Sequence, residues 1–359
     1  MDLFTQYKFL SGLRRGPLGE LAFLTAQADV EENSYRKDLW LKPLDGPAFP
    51  LTTDGKTGGF LWDGPHTLLF QSTRDPEQKK RAEAGEEYTA FYRLDLWGGE
   101  AQKAFEVPLS ASLLEKADEG VYLLAVDWDL RFSKAHQLKG GAKEALLKEK
   151  KEEKDYQVLD EMPFYFNGAG YVNKHRDALF LYEESSGKLT RVTKEAFSTG
   201  SAHFSPDGKQ VLFTGQSYTV KRKNKSGVYV YDRETGRTTE LLKPRAYDLY
   251  DALWWGEKIL LLATDGKRYG LNENAQFYTL NPASGQVALL APYEDALGSS
   301  VGSDCRLGGG REWVQEGDKL YFVTTLGGAS QVYCLEEAGE IRPVYTQAGS
   351  VDCLSLIHI

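Results

Sequence analysis

A serine between two glycines is the first candidate for chemistry in this chain. Gly298-Ser299-Ser300-Val301-Gly302 is its one match to G-x-S-x-G, the pattern that exposes a nucleophilic serine on a sharp turn between a strand and a helix. No helix signal follows it, and a triad in the order Ser, Asp, His would have to use His358, close to the last residue. We therefore interpret Ser300 as part of a loop and predict no catalytic residue in this chain.

Metal and cofactor chemistry finds no better support in the sequence. His66, His136, His175 and His203 are scattered, and none has a cysteine, histidine or aspartate at the spacing of zinc ligands. The glycine-rich segment at 167–171 matches neither a phosphate loop nor a full dinucleotide-binding pattern. The sequence therefore predicts no metal and no cofactor.

An aromatic segment at 160–176, DEMPFYFNGAGYVNKHR, invites a binding hypothesis. Aromatic rings and a cation near the mouth of a cavity would hold a peptide by apolar contact and charge. We predict substrate contacts, on this basis, at Tyr165, Tyr171, His175 and Arg176. The alternative is that the aromatic side chains pack between the sheets of the fold.

The elements that must position these residues repeat along the chain. Six pairs of β-prone runs each turn at a glycine, a residue that accepts positive φ without steric cost. The turn glycines are Gly46, Gly99, Gly187, Gly236, Gly285 and Gly339. Steps of about fifty residues separate most of them, and each unit also carries an earlier strand pair such as HFSPDGKQVLF. Four strands per unit of this length are typical of a β-propeller blade, whereas an irregular β-sandwich would show such spacing only by coincidence.

The repeat predicts an all-β fold: a β-propeller of four-stranded blades, with six complete blades and the start of a seventh. The predicted blades cover residues 1–56, 57–108, 109–195, 196–243, 244–292 and 293–347. The third is long because residues 136–155 are rich in helix formers, which predicts a helical insertion; the charged run RDPEQKKRAEAGEEY in the second is predicted as a loop. Residues 348–359 are predicted to begin an incomplete seventh blade or to be an anomalous tail. An unfinished blade would leave an exposed edge, so a homo-oligomer is an open alternative.

Composition excludes several classes of function. The chain has 359 residues and a net charge of −9, with no basic stripe, so we expect no nucleic-acid partner. Its apolar runs are too short to cross a bilayer, and its first residues do not resemble a signal peptide. Cys305, Cys334 and Cys353 are widely spaced and form no disulfide pattern. We therefore predict a cytoplasmic protein that does not bind membranes.

Three segments, at 28–46, 68–101 and 155–193, carry a resemblance to a known family. They resemble the amino-terminal propeller of prolyl-oligopeptidase-family serine peptidases, with the acylaminoacyl-peptidase-like branch the nearest; NGAGYVNKHRDALF at 167–180 is the most specific piece. The resemblance covers the chain up to about residue 350.

In that family the propeller precedes an α/β-hydrolase domain with a Ser-Asp-His triad, admits short peptides and excludes folded proteins. The resemblance therefore implies a non-catalytic, substrate-gating region, short peptides as ligands, and a carboxy-terminal hydrolase domain as the missing partner. This chain alone is then expected to be inactive. Two alternatives are a stand-alone propeller of the TolB or WD-repeat kind that binds proteins, and a propeller enzyme with its site in the central channel. The latter needs convergent acids or a metal cluster, which no motif in the sequence indicates.

Overall fold

Six antiparallel sheets follow one another along the chain and form the blades of a β-propeller. The computed structural model describes residues 3–117, 120–156, 158–302 and 309–356. Among the described residues, each blade is built from one continuous segment of the chain, and no strand from one end of that range completes the blade at the other end. The prediction of an all-β propeller with four-stranded blades is confirmed, and the ring has six blades.

The first three blades contain the strands β1 to β14. Blade 1 consists of β1 Phe9–Arg15, β2 Leu21–Asp29, β3 Ser34–Lys42 and β4 Phe49–Pro50. Blade 2 consists of β5 Thr57–Gly64, β6 Thr67–Ser72, β7 Thr89–Asp95 and β8 Gln102–Val107. Blade 3 consists of β9 Ala111–Ala117, β10 Val121–Asp129, β13 His175–Glu183 and β14 Lys188–Arg191, with a separate hairpin of β11 Tyr165–Phe166 and β12 Gly170–Tyr171.

The last three blades contain the strands β15 to β27. Blade 4 consists of β15 Phe197–Phe204, β16 Gln210–Ser217, β17 Gly227–Asp232 and β18 Arg237–Leu242. Blade 5 consists of β19 Asp248–Trp255, β20 Lys258–Thr264, β21 Gln276–Leu280 and β22 Val287–Ala291. Blade 6 has an inner strand in two pieces, β23 Ala296–Leu297 and β24 Trp313–Glu316, followed by β25 Lys319–Leu326, β26 Ala329–Glu336 and β27 Ile341–Tyr345.

The helices are few and short. Two α-helices occur in the part of the chain that the structure describes, α1 Pro76–Glu83 and α2 Gly140–Glu152. Single 3-10 turns occur at Phe4–Gln6, Leu130–Phe132, Ala135–Gln137, Glu153–Asp155 and Gly270–Asn272. The predicted helical insertion in the third blade is confirmed, because α2 and its flanking 3-10 turns lie between β10 and β13.

The second strand of each blade is apolar on both of its faces. In β20, for example, the residues from Ile259 to Ala263 are all completely buried. A propeller blade packs between two neighbouring blades, so its central strands have no solvated face and lose the usual apolar–polar alternation. Accordingly, five clusters of buried side chains lie between successive blades, from blades 1 and 2 to blades 5 and 6.

The turns between third and fourth strands follow the glycine pattern. Gly236 and Gly285 have φ of 67° and 70°, and their amides donate to the carbonyls of Asp232 and Asn281 at 2.9 and 2.8 Å. Such a left-handed conformation costs a residue with a Cβ about 1 kcal/mol or more, which accounts for glycine at the same place in successive units.

The two faces of the ring differ in the length and structure of the connections between strands. Antiparallel pairing places all first-to-second and third-to-fourth connections on one face, which we call the turn face, because these connections are mostly tight. The second-to-third connections lie on the opposite face, which we call the insertion face. It carries α1 in blade 2, and α2 with the β11–β12 hairpin in blade 3.

One predicted loop is a helix. The charged run in the second blade contains α1, whose amino terminus is capped by the Asp75 carboxylate accepting from the Glu77 amide at 3.0 Å, with Pro76 in the first turn. An aspartate followed by proline is a helix start signal. The sequence-based prediction gave more weight to the many charged residues of the segment and assigned a loop.

The described residues after β27 add no strand. Gly349 accepts a hydrogen bond from the Ser330 amide at 3.0 Å, and Leu354 donates to the Arg311 carbonyl at 2.7 Å, so residues 349–354 lie along blade 6. Blades 1 and 6 already meet, because Gly309 exchanges backbone hydrogen bonds of 3.0 Å with Leu10 and Gly12. This contact leaves no gap for the predicted start of a seventh blade, and residues 357–359, including His358, lie outside the described residues.

Candidate functional site in the central channel

The first strands of the blades surround a channel with two adjoining cavities. A cavity of about 680 Å³ is lined from blades 3 to 6, and one of about 530 Å³ from blades 1, 2, 3 and 6. Glu115 and Arg311 line both cavities. The two cavities together therefore reach every blade, and their lining residues lie towards the carboxyl ends of the first strands.

A histidine between two carboxylates stands in the wall of the larger cavity. His203 Nδ1 lies 2.8 Å from Glu115 Oε1, and Nε2 lies 3.0 Å from Asp251 Oδ1. Asp251 Oδ2 accepts from Trp313 Nε1 at 2.7 Å, and Glu115 Oε2 accepts from the Phe204 amide at 2.8 Å. We call Glu115, His203, Asp251 and Trp313 the channel network, and its members come from four different blades.

The charges in this network reinforce one another. Burial alone would lower the pKa of His203, but the hydrogen bonds and charges of Asp251 and Glu115 outweigh it and raise the pKa to about 10. Burial alone would raise the pKa of both carboxyls, but the His203 imidazolium holds them below their ordinary values. At neutral pH the ring therefore donates from both nitrogens and has no free lone pair for proton abstraction or metal ligation.

The smaller cavity is lined by three arginines. Arg14 and Arg15 end β1, and Arg311 precedes β24. Burial and the positive charge of Arg311 lower the pKa of Arg14 to about 10, against the opposing effect of Glu115. The channel can thus offer a ligand positive charge in one cavity and a closed ion-pair network with tryptophan in the other.

None of these channel residues was predicted from the sequence. Glu115 lies 88 residues before His203 and Asp251 lies 48 after it, so no local spacing connects them. The signal available was positional: Glu115, His203 and Asp251 are ionisable residues in the first strands of their blades. The structure thus supplies the convergent acids that a channel site needs, although the sequence shows no motif for them.

The predicted peptide contacts separate into two environments. Tyr165 and Tyr171 pair across the β11–β12 hairpin with ring centroids 5.6 Å apart, and both rings are about half exposed on the insertion face. His175 begins β13, and its Nδ1 lies 2.7 Å from Asp127 Oδ1. That hydrogen bond and the negative charge of Asp127 raise the pKa of His175.

Arg176 lies beneath this segment and not at its surface. Its side chain is fully buried; Nη2 donates to Glu161 Oε1 at 2.7 Å and to the Tyr218 carbonyl at 2.9 Å, and Nη1 donates to Glu161 Oε2 at 3.1 Å. The guanidinium also stacks 3.6 Å from the centre of the Tyr218 ring. Its donors are thus engaged within the protein, and Arg176 supports the segment that presents the tyrosines.

The G-x-S-x-G segment, residues 298–302, lies in a loop. Ser300 follows β23, its side chain is exposed, and its amide donates to Thr325 Oγ1 at 2.8 Å. The next residues, 303–308 with Cys305, lie outside the described residues. Within the described ranges, no three His, Cys, Asp or Glu side chains are grouped to hold a metal ion. Among those same residues, no helix combines the length and apolar character needed to cross a membrane.

The known proteins to which this chain is similar include several peptidases. No family model matches the chain. It is 22% identical over 346 residues to the uncharacterized peptidase YuxL of Bacillus subtilis, covering 93% of this chain and 50% of that protein. Among solved structures, an acylaminoacyl peptidase of Pyrococcus horikoshii superposes with a TM-score of 0.68 at 16% identity, over 98% of this chain and 48% of that one.

Two further structures extend the comparison. A puromycin-hydrolyzing peptidase of Mycobacterium tuberculosis gives a TM-score of 0.62 at 13% identity, over 99% of this chain and 50% of that one. The β-propeller domain of the Trilobed protease of Pyrococcus furiosus gives 0.60 at 12% identity, over 98% of this chain and 89% of that one. The resemblance to propeller-bearing peptidases is confirmed, and the chain spans about half the length of the full peptidases that it matches.

Proposed function

We propose that this chain is the substrate-gating propeller region of a prolyl-oligopeptidase-family serine peptidase that acts on short peptides. In this proposal the α/β-hydrolase domain that performs acyl transfer is a separate part of the protein, and the propeller alone does not hydrolyse peptides. Tyr165 and Tyr171, supported by Arg176 and next to His175, contact the peptide on the insertion face. The cytoplasm remains the predicted compartment.

One observation carries the proposal. A chain that is similar over nearly its whole length to propeller-bearing peptidases encloses two adjoining central cavities with charged and aromatic walls. Cavities of this volume hold a few residues of extended peptide, since a residue advances by about 3.3–3.6 Å, but they cannot hold a folded domain. A channel of this size therefore selects by the size and flexibility of the substrate.

The test begins with the source DNA beyond the codon for Ile359. We expect the reading frame to continue into an α/β-hydrolase sequence with a nucleophile elbow. The complete product should then cleave acetyl-alanyl p-nitroanilide and short acetylated peptides but leave a folded protein intact, and replacement of the elbow serine by alanine should abolish cleavage.

A stop codon directly after Ile359 would contradict the proposal and favour a stand-alone propeller that binds proteins. A complete product that degrades folded proteins as fast as short peptides would contradict the gating role alone. The isolated chain, assayed beside the complete product, is the control for activity that does not depend on the hydrolase.

A further inference from the structure

The smaller channel cavity carries more positive charge than its own acids neutralise. Arg14, Arg15, Arg311 and Lys116 line it, together with Glu115 and Glu316. Lys116 is paired with Asp63 at 2.7 Å, and Glu115 is held by His203 and the Phe204 amide. Four cationic side chains thus line this cavity against two acidic ones, an excess of two positive charges in a chain whose net charge is −9.

Two of the guanidinium groups in this cavity lack acceptors. Among the described residues, the Arg14 side chain makes no hydrogen bond, and its pKa of about 10 reflects burial and the repulsion of Arg311. Arg15 Nε is buried with no hydrogen-bond partner. A buried donor without an acceptor is costly, and two like charges facing one cavity add to that cost. An anion placed between Arg14 and Arg311, whose charges repel each other, would give the Arg14 guanidinium an acceptor and relieve that repulsion.

We propose that Arg14 and Arg311 form an anion site in the central channel that takes the terminal carboxylate of a short peptide. The planar fork of a guanidinium matches the two oxygens of a carboxylate, and such charge-assisted hydrogen bonds are among the stronger ones in proteins. The identity of the ligand rests on the proposed function, whereas the anion chemistry rests on Arg14 and Arg311.

The site also orients its ligand. Arg14 and Arg15 lie at the end of β1 beside the turn face, and the larger cavity adjoins theirs at Glu115 and Arg311. A peptide held by its carboxylate in the smaller cavity therefore extends its remaining residues into the larger one. There Trp254 and Trp313 provide aromatic walls. The channel thus binds a peptide in one direction, with the amino end away from the arginines.

The experiment is isothermal titration of the chain with acetyl-trialanine as the free acid and as the carboxamide. We expect the free acid to bind at least about tenfold more tightly than the amide, because the amide loses the charge-assisted bonds. Arg14→Gln and Arg311→Gln should each weaken binding of the acid about tenfold and leave the amide unchanged. The matched control is Arg237→Gln, on an exposed position of the outer strand β18, which should change neither affinity.

Folding and anion type are controlled within the same experiment. Circular dichroism melts verify each variant, and Arg311→Gln, at an exposed residue, tests the site even if Arg14→Gln does not fold. Inorganic phosphate and acetyl-aspartate α-amide are titrated alongside. Binding of phosphate as tight as that of the acid would overturn the assignment to peptides, and equal binding of the aspartate amide would overturn the preference for the terminal carboxylate.

The remaining outcomes separate this inference from the proposed function. Equal affinity for acid and amide, binding unaffected by either arginine variant, or no binding of any probe would overturn the anion site, whatever the reading frame encodes. Arginine-dependent binding of the free acid, with a stop codon after Ile359, would retain the site and refute the peptidase assignment.

Discussion

Two ion-pair networks in the same ring show how burial decides what charged residues can do. Glu161 and Arg176 form a bidentate pair in which neither side chain reaches solvent. In the channel network, His203 keeps about a quarter of its surface beside an open cavity, and two acids share one imidazolium. The first pair fixes the segment that carries Tyr165 and Tyr171, whereas the second sets the charge of a channel wall.

The comparison teaches that a functional residue is not identified by residue type alone. Arg176 follows an exposed aromatic segment in sequence, yet its guanidinium is consumed by a carboxylate and a carbonyl. Arg14 stands in an ordinary strand without a motif, yet it faces a cavity with no acceptor among the described residues. Access to a cavity, together with unused donors, therefore distinguishes a ligand-binding arginine from a structural one.

The largest effect is expected from Arg176→Met. The substitution leaves the buried Glu161 carboxylate with only the Lys174 amide and ammonium group, at 3.0 and 3.4 Å, which lowers the free energy of unfolding by about 3 kcal/mol. Urea denaturation measures the loss, with the exposed Arg237→Met as a control expected within about 0.5 kcal/mol of the parent. A loss under about 1 kcal/mol would mean that water reaches Glu161, and the contrast between the two networks would disappear.

The channel network predicts a fall in stability at alkaline pH. The pKa of His203 in the folded chain, about 10, lies above the ordinary 6.5. Its contribution is therefore complete below pH 6.5 and is lost as the pH rises to 10, by an amount on the order of 2–4 kcal/mol. Between pH 6.5 and pH 10 the urea midpoint should fall in the parent and in the control His66→Gln. It should fall much less in His203→Gln. An equal fall in all three proteins would refute the assigned charge.

A smaller effect is expected where a single bond of the channel network is removed. Trp313→Phe deletes the donor to Asp251 Oδ2 but keeps an aromatic ring in the cavity wall. We expect a loss of about 1–2 kcal/mol in urea denaturation, because one hydrogen bond to a charged acceptor disappears while His203 remains. Trp97→Phe, at a ring that is 79% exposed, should be nearly neutral. Equal losses from both substitutions would show that the bond to Asp251 adds nothing.

The smallest loss of stability is expected from two partly exposed ion pairs. Lys143 and Lys150 of α2 contact Glu86 and Glu87 of blade 2 at 2.7 and 2.8 Å. Because one side chain of each pair is about a third exposed, solvent partly screens these pairs, and the double substitution to glutamine should cost about 1 kcal/mol overall. It should nevertheless speed amide hydrogen exchange within α2, which Lys148→Gln should not. Unchanged exchange would mean that apolar contacts alone hold the helix against blade 2.

The sequence predicted what depends on neighbours along the chain and missed what depends on the closed ring. Blades and turns such as Gly236 follow from local runs and positive φ, so their pattern was readable. The pairing of Glu115, His203 and Asp251 depends on three strands from three blades meeting at one axis, which no window of sequence contains. Helix α1 was the local exception, because its charge pattern obscured the capping aspartate.

The contact between blades 1 and 6 has a mechanical consequence. Each other pair of neighbouring blades encloses a cluster of buried side chains, whereas the described residues at this junction are joined by the two backbone hydrogen bonds of Gly309 and by the bond from the Arg15 amide to Ser355 Oγ at 2.8 Å. A pulling force applied across the ring would therefore part these two blades first and leave all six sheets intact. Under such a force the ring would open at this one junction, and the central channel would widen there.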